Sequence, residues 1–162
     1  MICHSFVIFY NIFSKELHKL GFFFYAMLYL KGGWNMYIFV NPNPRGALIG
    51  DCAVRAVAVA TGRTWDDTYR LLTQYGFMMK NLPNADSVWG EALKNDGFTR
   101  HIIPDTCPAC YTVGDFCRDH PSGTYVVGTG THVVAVIDGD YYDTWDSGDE
   151  VPIIYWRENG IL

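Results

Sequence analysis

The dipeptide Asp138-Gly139 places the tightest condition on how this chain can fold. It lies between two apolar runs, HVVAVI at 132–137 and YYDTW at 141–145. Asp-Gly readily takes the two successive left-handed residues that close a two-residue hairpin, so these runs are expected to be adjacent antiparallel strands. TYVVGT at 124–129 and IIYWR at 153–157 extend the same sheet. Register can be counted outward from the turn. With a two-residue turn, Ile137 pairs with Asp140 and His132 with Trp145, leaving Asp143 diagonal to His132 on the same face. With a three-residue turn, His132 faces Asp146 directly. Either register brings a carboxylate near the imidazole, where it fixes the tautomer and stabilises the imidazolium. Trp145 is placed to shield that pair from water.

Helices dominate upstream. MYIFV at 36–40 reads as a short strand and NPNPRGALIG as a loop punctuated by Pro and Gly. The spacing predicts a helix over 51–61 that ends at Gly62 and a second from Trp65 to about Gln74 capped by Thr64. A third, capped by Asp86 or Ser87, runs to Asn95, and a fourth, capped by Thr112, runs to Asp119. FTRHII at 98–103 is a strand closed by Pro104. The expected class is α+β in two packed layers, with N-terminal helices packed on a C-terminal antiparallel sheet.

Residues 1–35 differ from the rest, with Glu16 their single acid. The uncharged run Leu20–Leu30 falls well short of the ~20 residues a membrane span needs. A basic start and a small-residue cleavage site are also missing. Lys31-Gly32-Gly33 is encodable by a purine-rich ribosome-binding sequence, with Met36 at a suitable distance. The expectation is a translated leader over 1–35, rather than a membrane anchor, followed by one domain over 36–162. That domain has 9 basic and 16 acidic residues. The acidic balance argues against nucleic acid as a partner, because phosphate binding needs a basic face. The five cysteines, an odd number unevenly spaced, do not read as a disulfide framework and point to a reducing, cytoplasmic compartment.

Cys52 stands at the mouth of the first helix, ahead of the Ala- and Val-rich run Ala53–Ala60. Free N–H groups and the positive end of the helix dipole there favour the thiolate, the reactive form. A catalytic cysteine needs a base and a group that orients the base. His4 and His18 lie in the leader, His101 sits in a short strand, and His120 ends a helix, where an imidazole serves as a cap. His132 opens a strand beside Asp143 and Asp146. Arg55, one turn along from Cys52, is expected to pair with Asp51.

Taken together, GDCAVRAVAVATG, GTYVVGTGTHVVAVIDG and YYDTWDSG resemble a papain-like cysteine peptidase of the compact bacterial and phage type, akin to bacteriocin leader-processing peptidases. The resemblance spans roughly 41–157. It implies a papain-like fold, Cys52 as nucleophile, His132 as base and Asp146 as the orienting group, with Asp143 in reserve. It also implies a peptide or protein substrate and no cofactor. One departure is plain: GALIGD, immediately before Cys52, lacks the Gln that such enzymes use as an oxyanion donor. Asn41 and Asn43 are the nearest amides, and the backbone N–H of Cys52 is the other donor available.

A separate set is Cys107, Cys110, Cys117 and His120, spaced Cys-x2-Cys-x6-Cys-x2-His. This is an acceptable arrangement for a structural zinc; Cys107 and Cys110 alone could be a redox dithiol, but the pair does not open a helix after a strand, which argues against thioredoxin-like chemistry. The alternative to an enzyme is therefore a catalytically inert papain-like domain that binds a protein partner, with or without a structural zinc.

Overall fold

A helix rich in Ala and Val needs no polar face, and α1 (Cys52–Thr61) is buried along Ala53–Ala58. Small side chains let it lie close against the sheet. The computed structural model describes residues 36–160. The compact unit begins at Met36, and the leader expected over 1–35 lies outside the described residues. Before α1 comes the short strand β1 (Tyr37–Phe39); after it come α2 (Trp65–Met79), α3 (Asp86–Asn95) and β2 (Phe98–Ile102). Then follow α4 (Val113–Asp119), β3 (Thr124–Thr129), β4 (Val133–Ile137), β5 (Asp140–Asp143) and β6 (Pro152–Glu158).

The sheet order is β1-β5-β4-β3-β6-β2. All neighbours are antiparallel except β1, which pairs parallel to β5 with Tyr37 opposite Tyr141. The class is α+β, but the sheet is mixed rather than purely antiparallel. The expectation of two layers also fails, because apolar side chains alternate to both faces. Val126, Val133, Ala135, Ile154 and Trp156 pack under α1, α2 and α3. Tyr125, Val127, Val134, Val136 and Tyr141 pack against Val113, Phe116 and Cys117 of α4. Strands buried on both faces read as continuous apolar runs such as VVAVI.

Two boundaries differ from expectation for local reasons. Helix α2 runs through Gly76 to Met79. A Cβ at Gly76 would stand 2.7 Å from the Asn81 carbonyl oxygen, so the glycine admits the returning chain rather than ending the helix. Helix α3 is capped at Ala85 without a side-chain bond, because the expected caps bond elsewhere. Asp86 accepts from Trp89 Nε1 and Ser87 from Asn81. Gly90 marks the closest approach of α3 to the sheet, where a Cβ would meet Trp156 Cζ2 at 2.8 Å. Gly90→Ala is expected to lose about 1–3 kcal/mol of stability through overpacking, despite the better helix propensity of Ala, as read by urea denaturation. A stabilised variant would contradict this packing. Among the described residues, no helix is long and apolar enough to cross a membrane.

Candidate active site

The Asp138-Gly139 turn has φ of 51° and 86° and pairs Ile137 with Asp140, the two-residue register. Continued along the strands, this register sets Asp143 diagonal to His132. The expected strands stop short at both residues, for the same physical reason. The His132 N–H donates to Thr129 Oγ1 at 3.0 Å, and the His132 carbonyl accepts from the Thr129 N–H at 2.8 Å. The Thr144 N–H turns back to Asp143 Oδ1 at 2.7 Å. These local bonds replace ladder bonds, so both side chains sit where the sheet ends. The Val40 N–H holds the Asp143 carbonyl at 2.8 Å, so β1 anchors this end of β5.

His132 Nε2 donates to Asp143 Oδ2 at 2.5 Å. That oxygen also accepts from the buried Ser147 hydroxyl at 2.8 Å. With Nε2 committed, Nδ1 is the ring nitrogen left to serve a thiol. Cys52 is half-buried at the start of α1, and His132, the Val133 N–H and Arg55 all act on its thiol. Burial pushes the thiol up, but the His132 bond and charge, the Val133 N–H and the Arg55 charge together bring it below its ordinary value. Burial alone would lower the His132 imidazole. The bond to Asp143, the bond to Cys52 and both negative charges raise it instead, to about 9. Asp143 is lowered; its burial opposes this, and the bond and charge of His132 with the bonds from Ser147 and Thr144 outweigh it. These directions favour the thiolate and the imidazolium over the neutral pair, with the Asp143 carboxylate supporting the imidazolium.

Asp146 is not the histidine's partner. It accepts from the Tyr141 hydroxyl and from the Gly148 N–H, which shapes the loop that carries Ser147. The contrast gives a direct test. Asp143→Ala is expected to lower turnover about 10²- to 10⁴-fold, and Asp146→Ala less than about tenfold. A larger loss in Asp146→Ala would reverse the two assignments.

The carboxylate beside the thiol, Asp51, is drawn away from it. Asp51 pairs with Arg55 and accepts from Trp65 Nε1 at 2.9 Å and from Asn43 Nδ2 at 3.3 Å. Arg55 does more than the expected pairing, because its Nη2 also reaches Asp143 at 3.4 Å. A buried chain thus runs from Trp65 through Asp51, Arg55 and Asp143 to His132. The Arg55–Asp143 link and Ser147 were not anticipated from the sequence. Long-range ion pairs leave no periodic trace, and in DTWDSG the serine reads as turn chemistry.

The expected oxyanion amides are turned to the loop. Asn41 Nδ2 donates to the Ala47 carbonyl, and Asn43 Nδ2 to Asp51. Among the described residues, neither amide bonds to Cys52. The first backbone N–H groups of α1, which have no intrahelical acceptor, are the donors at hand. Trp145 lies 5.2 Å from His132 between ring centroids, in a tilted contact, and covers one side of the imidazole.

The four suggested zinc ligands do not gather. Cys107 and Cys110 are exposed neighbours, while Cys117 is buried beneath the sheet. His120 stacks on Phe116 with its Nδ1 at 2.9 Å from the Phe116 carbonyl. Among the described residues, no three His, Cys, Asp or Glu side chains are grouped as a metal would need.

No family model, curated protein or solved structure matches this chain.

Proposed function

We propose that this chain is a thiol-dependent peptidase or amidase of papain-like organisation that cleaves peptide or isopeptide bonds. The observation that carries the reading is the Cys52–His132–Asp143 array. A lowered thiol at a helix N-terminus meets a raised imidazole whose far nitrogen is held at 2.5 Å by a carboxylate. A structural cysteine needs none of these features.

In this reading the Cys52 thiolate attacks the carbonyl carbon and a C–S bond forms. The carbonyl oxygen takes the displaced electron pair, and the Cys52 backbone N–H donates to it. The proton on His132 Nδ1 passes to the leaving amine as the C–N bond breaks. Water, deprotonated by His132, then hydrolyses the thioester and releases the acid. No cofactor takes part in these steps, and a free thiol suits a reducing, cytoplasmic compartment. Leu48 and Ile49, on the loop entering α1, and Trp145 are 73%, 55% and 45% exposed. This apolar border to the thiol suits an extended peptide with apolar side chains.

A mixed peptide library incubated with the protein and read by mass spectrometry tests the proposal. New termini are expected with the wild type and not with Cys52→Ala. Cleavage that persists in Cys52→Ala, or an intact library beside the wild type, would overturn the peptidase reading.

A further inference from the structure

Outside the candidate active site, two cysteines stand sulfur to sulfur at the surface. Cys107 Sγ and Cys110 Sγ are 3.2 Å apart, and both residues are exposed. They lie in the loop between β2 and α4, which is pinned around them. The Cys107 N–H donates to Asp105 Oδ1 at 3.0 Å, and the Tyr111 N–H donates to Thr106 Oγ1 at 2.7 Å. The Tyr111 hydroxyl donates to Asp119 at 2.9 Å and ties the far side of the loop to α4. The loop therefore presents both sulfurs together to solvent. Neither sulfur is needed for packing, in contrast to the buried Cys117.

We propose that Cys107 and Cys110 form a thiol–disulfide exchange site whose co-reactant is a low-molecular-weight disulfide. The adjacent Cys110 sulfur and the Asp105 carboxylate hold the Cys107 thiol up at about 11. Cys110 is then the first sulfur to attack. Its thiolate displaces one thiolate from the small disulfide and forms a mixed disulfide. Cys107, on giving its proton to solvent, attacks the Cys110 sulfur and expels the second small thiolate. The protein loses two electrons and two protons, the small disulfide gains them as two thiols, and no part of it remains attached. The short loop makes the second attack intramolecular, so the mixed disulfide is a transient species.

The site borders the candidate active site through the backbone. The loop feeds α4, whose Val113 and Gly114 N–H groups donate to the Glu150 and Gly148 carbonyls at 2.9 Å each. That second loop carries Ser147, the hydroxyl on Asp143. The exchange chemistry itself stands independently of whether Cys52 is catalytic.

The test is equilibration of the full chain with mixtures of reduced and oxidised glutathione, followed by acid quenching, alkylation and peptide mass spectrometry. The expected product is an internal Cys107–Cys110 disulfide with the buried Cys117 still alkylated, whether or not Cys52 carries a glutathione adduct, and it is reversed by excess reduced glutathione. In Cys107→Ser, Cys110 is expected to retain a glutathione adduct, because the resolving sulfur is gone. Stable glutathione adducts on both wild-type cysteines, or preferential pairing of either with another cysteine, would overturn the proposal. So would a pair left reduced in a fully oxidised buffer.

Discussion

Cys52→Ala is expected to abolish turnover, a loss of about 10⁴- to 10⁶-fold, and His132→Ala is expected to approach the same floor. The two losses should not add, because nucleophile and base act as one unit. Without His132 the Cys52 thiol keeps its burial but loses the partner that most lowers it. Without Cys52 the imidazole has nothing to activate. Both variants are expected to fold. Cys52 is half-buried at the edge of the core cluster, and His132 lies at a strand end whose backbone bonds run through Thr129. Circular dichroism and melting temperature close to wild type should accompany the loss. Wild-type-like cleavage by either variant would remove the basis of the triad.

The largest effect on stability is expected at Arg55. Its side chain is 7% exposed between Asp51 and Asp143, whose side chains are 5% and 2% exposed. Arg55 Nη1 also donates to the Ile49 carbonyl. Arg55→Ala removes the positive charge, strands the buried Asp51 carboxylate and leaves Asp143 with His132 as its one counter-charge, a loss of about 3–5 kcal/mol. Arg55→Lys restores a charge that cannot reach both carboxylates at once, so it should fall between the two. Adding Asp51→Asn to Arg55→Ala should recover part of the loss, because the stranded charge is then gone. Denaturant unfolding of the four proteins measures this. A loss under about 1 kcal/mol for Arg55→Ala would mean that the pairs behave as hydrated surface contacts.

How much of this could be read from the sequence depended on whether the signal was local. The Asp138-Gly139 turn is a local signal that placed the hairpin and left two registers open, of which the structure adopts the two-residue one. That register alone distinguished the diagonal Asp143 from the opposed Asp146. The family resemblance had pointed to Asp146, and the geometry at Tyr141 explains where that carboxylate goes instead. The cap at Thr112 was also local, and α4 begins there as expected, with Asp115 completing a capping box. Other features were set by tertiary contacts. Gly76 resembles a helix terminator until the chain at Asn81 is seen to pass over it. The parallel pairing of β1 leaves no mark in a three-residue strand. The second buried face of the sheet hid in plain apolar runs, which periodicity does not assign to a layer. The link from Arg55 to Asp143 joins residues far apart in the chain, and no spacing rule reaches that far.

The proposed chemistry depends on Cys52 and His132 forming an activated pair. The most direct measurement is the rate of Cys52 alkylation by iodoacetamide across pH, resolved by peptide mass spectrometry, in wild type and in His132→Ala. The Cys52 thiol is expected to titrate below the ordinary value of about 8.5, with a midpoint that moves up when His132 is removed. Because the partner imidazole holds its proton to about 9, the wild-type rate should change again as pH passes through that value, and His132→Ala should lack this second step. A single titration at or above the ordinary value, unchanged by His132→Ala, would mean that the pair is not activated and that Cys52 is an inert residue at the start of a buried helix.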